Sequence, residues 1–181
     1  MCLLILNKNK EIPREHLLNG FNSNSDGAGI GYIEDGMLKI SKFSRFKKFY
    51  KKYVEIRKNN PYPIIIHFRL TSAGGDNEMN MHPFFINKDM IFAHNGHMSA
   101  LEDINNIYSD TYILRLLLKK SKYDVYNEEE INRMLGYVKN ICSVSRFVFL
   151  RRDGKYFILN ESVGNWEYNK DTWYSNSSYK S

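Results

Sequence analysis

The chain has 181 residues, with 26 Lys and Arg against 20 Asp and Glu, and a formal charge of +6. A hydrophobic fraction of 43% and an aromatic fraction of 14% exclude a disordered chain, and the length is that of one domain, 1–181, burying roughly two-thirds of its unfolded surface. Apolar runs such as Ile64–Ile66 and Leu116–Leu118 are too short to span a bilayer, and Cys2 and Cys142 make no disulfide framework, so a reducing cytoplasm is the expected setting.

Residues 2–7 read as a buried strand, too short for a signal-peptide core and without a basic segment before it. A polar stretch rich in Asn, Ser and Gly follows as far as Asp26-Gly27. Ala28–Glu34 and Met37–Phe43 form a hairpin about Asp35-Gly36, a strong turn pair. A basic helix runs from about Arg45 to Asn59. Its residues Phe46, Phe49, Tyr50, Tyr53 and Val54 recur at helical spacing, so the intervening lysines fall on a solvated face rather than marking a nucleic-acid surface. Pro61 and Pro63 stop it.

Ile64–Phe68 is an all-apolar strand running into His67-Phe68-Arg69. A glycine-bearing loop over 70–83 leads to short strands near 84–86 and 90–93. Helices are predicted from Ser109 through Leu118, with a capping start, and from Asn127 to about Ile141, with acidic residues in the first turn. Ser143–Arg151 and Lys155–Asn160 pair around Asp153-Gly154, and the tail over 166–179 adds one more strand. Strands, two central helices and strands again indicate an α+β layered sandwich rather than an alternating βαβ fold. No Gly-rich phosphate loop joins a strand to a helix, so nucleotide binding has no support.

Four separated pieces carry chemistry. Met1 followed by a small residue is a start from which the initiator methionine is normally removed. Cys2 would then hold a thiol and a free α-amine, a nucleophile with its base in the same residue. The competing reading is a small apolar residue opening a strand. A thiolate attacking an amide needs donors aimed at the oxyanion that forms. The Asn95 side-chain amide and the Gly96 N–H suit that role, Gly allowing a close approach. Arg69 offers a planar fork for a carboxylate, and Asp110 at a helix start can hold an ammonium. The two clamps together fit a free α-amino acid. Singly, Asp110 reads as a helix cap, Arg69 as a structural ion pair and Asn95-Gly96 as a turn. His67, His82, His94 and His97 do not sit at zinc-ligand spacing with a Cys or carboxylate partner, so neither metal nor other cofactor is expected.

These pieces stand in the order Cys2, His67 to Gly74, His82-Pro83-Phe84, His94-Asn95-Gly96 and Ser109-Asp110-Thr111. In that order the sequence resembles the class II glutamine amidotransferases, the Ntn-type glutaminase domains. Asp26-Gly27-Ala28-Gly29-Ile30-Gly31 also looks like a segment of the small stand-alone members. Motifs carry the resemblance over residues 2 to 120 and pattern carries the remainder. It implies a four-layer αββα sandwich with two antiparallel sheets, and hydrolysis of the side-chain amide of L-glutamine through a thioester on Cys2. It also implies that Ser72 joins Arg69 at the substrate carboxylate and that the Gly96 carbonyl joins Asp110 at the ammonium. His82 and His94, supported by His67, would orient the surrounding loops.

Leu3 stands where the family often has Gly, Leu70 where an aromatic residue is common, and Ala73 where many members place His or another polar residue. The family normally passes ammonia to a synthase, so the implied partner is a separate synthase in trans, and a free glutaminase is the other outcome. Another Ntn amidohydrolase acting on a different linear amide, and a catalytically silent basic binding module, stay open beside these.

Overall fold

A computed structural model describes residues 2–71, 75, 78–121, 124, 126–139 and 145–180. In chain order its elements are β1 (Leu3–Asn7), α1 (Arg14–Ser23), β2 (Gly27–Glu34), β3 (Met37–Phe43), α2 (Phe46–Asn59), β4 (Ile64–Arg69), β5 (Phe84–Asn87), β6 (Met90–Asn95), α3 (Asp110–Lys120), α4 (Glu128–Lys139), β7 (Arg146–Arg151), β8 (Tyr156–Leu159), β9 (Asn165–Glu167) and β10 (Thr172–Tyr174).

Strand β1 is buried along its whole length, and its alternation sets the architecture. Leu3 and Ile5 join one core with Leu17 and Phe21 of α1 and Phe49, Tyr53 and Ile56 of α2. Leu4 and Leu6 point the other way, into a second core with Ile91 and Ala93 of β6, Val148 and Leu150 of β7 and Trp173. A third core joins Phe92, Phe147 and Phe149 to Leu114 and Leu118 of α3 and Ile131 and Leu135 of α4. The layers therefore run helix, sheet, sheet, helix. Each large side chain fully buried in these cores contributes on the order of 1.5–3 kcal/mol.

One sheet has the order β3-β2-β4-β1-β10-β9 and the other β5-β6-β7-β8, with antiparallel pairing throughout. Asp35 and Gly36 both take positive φ, 53° and 69°, as a two-residue hairpin turn with the twist of its strands requires. Gly29 and Gly31 share a face of β2. A Cβ on Gly29 would strike the His82 carbonyl, and one on Gly31 would strike Ile91 and Pro83. The glycine-rich segment thus lets the 82–83 turn lie directly on β2.

The structure departs from the sequence expectation at three places. The stretch before Asp26 is not all irregular, because α1 forms over 14–23 and buries Leu17, Gly20 and Phe21. The tail supplies two short strands, β9 and β10, rather than one. Strand β6 runs on to Asn95, so His94 and Asn95 are strand residues and not a turn. Cys142, together with the expected ends of the last long helix at 140–141 and of the following strand at 143–144, lies outside the described residues. Among the described residues no helix is long and apolar enough to cross a membrane.

Candidate active site

The register of the first sheet brings two of the expected residues together. Leu3 pairs with Phe68 across β1 and β4, and continuing that antiparallel register sets Cys2 beside Arg69 at the strand end. The Cys2 thiol donates to the Leu70 carbonyl at 3.4 Å and Sγ accepts from the Leu70 N–H at 3.4 Å. The Cys2 carbonyl accepts from Asn176 Nδ2 at 2.8 Å. Burial pushes the thiol pKa up, opposed in part by the Leu70 backbone and by the Arg69 charge. Cys2 is therefore a neutral thiol near pH 7 and needs a base to become a nucleophile.

Strand alternation sends His94 and Asn95 to opposite faces of β6. His94 turns toward α3, stacked on Phe147 with ring centroids 4.5 Å apart. Its Nδ1 lies 2.9 Å from Thr111 Oγ1 and its Nε2 3.0 Å from Ser145 Oγ. The Thr111 hydroxyl donates to Asp110 Oδ1 at 3.0 Å, so it accepts from His94 Nδ1–H, and Nε2 accepts from Ser145. Asn95 turns into the inter-sheet core. Its Nδ2 lies 2.7 Å from Ser175 Oγ, and its Oδ1 is buried without a hydrogen-bond partner. Gly96 follows with φ 154°, and a Cβ there would collide with Ser145 and His94 Nε2.

Asp110 is not the helix cap. Ser109 is, its side chain accepting from Tyr112 N–H at 3.1 Å. The Asp110 carboxylate, 6% exposed, accepts from Met98 N–H at 2.7 Å, Thr111 N–H at 2.6 Å and the Thr111 hydroxyl at 3.0 Å. The buried Asn80 ties this helix start to the loop after β4. Its Nδ2 donates to the carbonyls of Gly75 at 3.1 Å and Ile107 at 2.8 Å, while Oδ1 accepts from Ser109 N–H at 2.8 Å. Arg69 Nη2 also donates to the Gly75 carbonyl, at 3.2 Å.

His67, on the inter-sheet side of β4, lies with its ring centroid 4.2 Å from that of His82, and neither of its ring nitrogens makes a well-formed hydrogen bond. His82 Nδ1 lies 3.0 Å from the His94 carbonyl. Burial holds all three rings neutral, with the pKa lowered to about 3 for His67, to about 4 for His94 and well below normal for His82. The unfolded chain binds these protons below pH 6.5 and the fold refuses them. Stability is therefore complete above pH 6.5 and is lost as pH falls toward about 4, at about 1.4 kcal/mol per pH unit for each ring. The thermal midpoint is expected to drop steeply between pH 6.5 and 4.5, and His67→Gln to flatten the slope. A midpoint constant over that window would contradict the neutral cluster.

Cys2, Arg69, Gly96 and Asp110, with the rings of His67, His82 and His94, line one cavity of about 20 Å³. That holds about one water, so the space must widen before it admits an amino acid. A larger cleft of about 430 Å³, lined by Lys42, Phe84 and Arg115 among others, lies apart from the sulfur. Ser72 lies outside the described residues. Asn80, Ser145, Ser175 and Asn176 were not singled out from the sequence, because their partners lie far along the chain and no local spacing marks them. Among the described residues no group of three His, Cys, Asp or Glu could hold a metal ion.

The geometry has counterparts in known proteins. An uncharacterized protein of Methanocaldococcus jannaschii is 30% identical over 175 residues, an alignment covering 86% of this chain and 49% of the relative. The chain thus spans about half the length of that relative. The glutamine phosphoribosylpyrophosphate amidotransferase of B. subtilis shares the fold with a TM-score of 0.56 at 17% identity, over 96% of this chain and 41% of that one. A glutamine aminotransferase class-II domain protein from Silicibacter pomeroyi gives a TM-score of 0.53 at 10% identity, over 96% of this chain and 87% of that one. The αββα sandwich is thus that of the Ntn amidotransferases. The sequence profile of the class-II glutamine amidotransferases matches residues 17–163, a span with Cys2 outside it at one end and Ser175 at the other. The chain belongs to the class-II glutamine amidotransferases.

Proposed function

We propose that this chain is one glutaminase-type domain that hydrolyses the side-chain amide of L-glutamine and delivers ammonia to a separate synthase in the cytoplasm. The observation that carries the reading is the convergence of Cys2, Arg69 and Asp110 on one cavity. A thiol, a guanidinium fork and a carboxylate are the set required to attack an amide while holding a free α-amino acid.

Removal of Met1 leaves the Cys2 amine free to take the Sγ proton. Sγ bonds to the amide carbon, and the electron pair displaced onto oxygen is received by the Asn95 amide and the Gly96 N–H. Collapse of the tetrahedral species breaks the C–N bond, and the amine returns its proton to the departing ammonia. Water then attacks the thioester by the same route and releases glutamate. Arg69, with Ser72, holds the substrate carboxylate. Asp110 makes three internal hydrogen bonds and has His97 Nδ1 3.9 Å from Oδ2; with the Gly96 carbonyl, its remaining acceptor position takes the ammonium.

The test is ammonia release from glutamine, asparagine and N-acylated amino acids by protein whose intact mass shows Met1 removed. Glutamine is expected to be turned over and the others spared. Arg69→Lys is expected to raise the glutamine KM about tenfold or more with kcat little changed, because an ammonium cannot replace a two-pronged contact. Turnover of another amide with glutamine inert would refute the proposal, and an unchanged KM in Arg69→Lys would refute the carboxylate assignment.

A further inference from the structure

The side chain of Ser175 is fully buried just beyond β10, where the two sheets meet. Its backbone N–H donates to the Leu4 carbonyl at 2.9 Å, and its Oγ accepts from the Leu4 N–H at 2.9 Å. Ser175 is thereby fixed to the strand that carries Cys2, two residues from the sulfur. Its Oγ also lies 2.7 Å from the Asn95 carboxamide on the facing sheet.

The proton count at this contact is informative. With Asn95 Nδ2 turned to Ser175, Oγ accepts twice, its own proton has no acceptor, and Asn95 Oδ1 is buried at 1% residue exposure with no donor. Orphaned polar groups in a closed core are costly, because each has given up its water without a replacement. The two ends of a carboxamide are nearly equal in size, and the network around them decides which is which. Half a turn about the last bond of Asn95 lets the Ser175 hydroxyl donate to Oδ1 while Oγ still accepts from Leu4. Oδ1 and the hydroxyl proton are then paired, and the unpaired groups become the two N–H donors of the carboxamide, from which an oxyanion can accept. The NH₂ moves to the partnerless position, where both of its protons are free.

We propose that Ser175 is a positioning residue for the oxyanion donor: by donating to Asn95 Oδ1 it presents the Asn95 NH₂ to the tetrahedral intermediate. The proposal rests on the glutaminase reading and adds to it a residue outside the span matched by the family profile. It also explains how a donor on one sheet is aligned to a nucleophile on the other, since one hydroxyl touches both strands.

The test is a double-mutant cycle on glutamine turnover with Ser175→Ala, Asn95→Ala and the pair. Ser175→Ala is expected to lower kcat about tenfold to a hundredfold with KM little changed, part of the loss that follows when an oxyanion donor is removed. In the Asn95→Ala background the same change is expected to lower kcat no further. Equal losses in both backgrounds, or an unchanged kcat in Ser175→Ala, would overturn the proposal. If Ser175→Ala does not fold, Ser175→Cys, close in size with a weaker donor, is carried through the same cycle with a smaller kcat loss expected only where Asn95 is present. A wild-type protein without glutamine turnover would overturn the glutaminase reading and this role with it, whereas turnover with independent losses overturns the Ser175 role alone.

Discussion

Cys2→Ala is expected to abolish ammonia release from glutamine. Among the described residues no other thiol lines the cavity shared by Arg69 and Asp110, and no hydroxyl there has a base in its own residue. Burial keeps the Cys2 thiol protonated near pH 7, so the proposed mechanism requires the Cys2 α-amine, which becomes free when Met1 is lost. A free α-amine titrates near pH 8, and the rate should therefore rise with pH toward about that value. A variant that retains Met1 should be silent although correctly folded. A glutamine-shaped diazoketone should add once to the wild-type protein and not at all to Cys2→Ala, which intact mass reads directly. Near wild-type turnover in Cys2→Ala would remove the nucleophile assignment and the mechanism built on it.

Gly96→Ala is expected to be nearly as damaging by a different route. A methyl group at this position meets Ser145 and His94 Nε2 inside their contact distances, and the backbone φ of 154° is one that side-chain-bearing residues rarely adopt. Relieving the clash is expected to turn the Gly96 N–H away from its proposed oxyanion position and to disturb the hydrogen bond between His94 and Ser145. The expected kcat loss is about 10² to 10³, with a stability loss of about 1–3 kcal/mol. Kinetics and a thermal midpoint measured on one preparation separate the two effects. Wild-type values for both would show that neither the conformation nor the N–H at Gly96 matters.

The parts of this fold legible in the sequence are those with local causes. Asp35-Gly36 and Asp153-Gly154 announce their hairpins, and Phe46, Phe49 and Tyr53 announce α2. The unbroken apolar run at 64–66 announces a strand buried on both faces, as β4 is. Helix α1 was hidden because its apolar residues Leu17, Leu18 and Phe21 are few and sit among Asn and Ser. Its start is a proline, Pro13, with no side-chain cap hydrogen bond. The site divides in the same way. Cys2, Arg69, Gly96 and Asp110 announce themselves by residue type and order. Asn80 and Ser175 are ordinary polar residues whose meaning comes mainly from distant partners, Ile107 and Ser109 for Asn80 and Leu4 and Asn95 for Ser175, and no periodicity marks such contacts. Asp110 illustrates the intermediate case: its position at a helix start was readable, but only the structure shows that Ser109 does the capping and leaves its carboxylate turned to the cavity.

The sulfur and the proposed oxyanion donors come from different layers, Cys2 from one sheet and Asn95-Gly96 from the other. Their separation is therefore set by how Leu4, Leu6, Ile91, Ala93 and Trp173 fill the space between the sheets. Trimming a methylene from that filling, well away from any reacting atom, should register as slower chemistry before it registers as a lower melting point. Near-attack geometry tolerates far less slippage than the fold does. On the glutaminase reading, the apolar filling between the layers sets the distance that the proposed chemistry has to bridge.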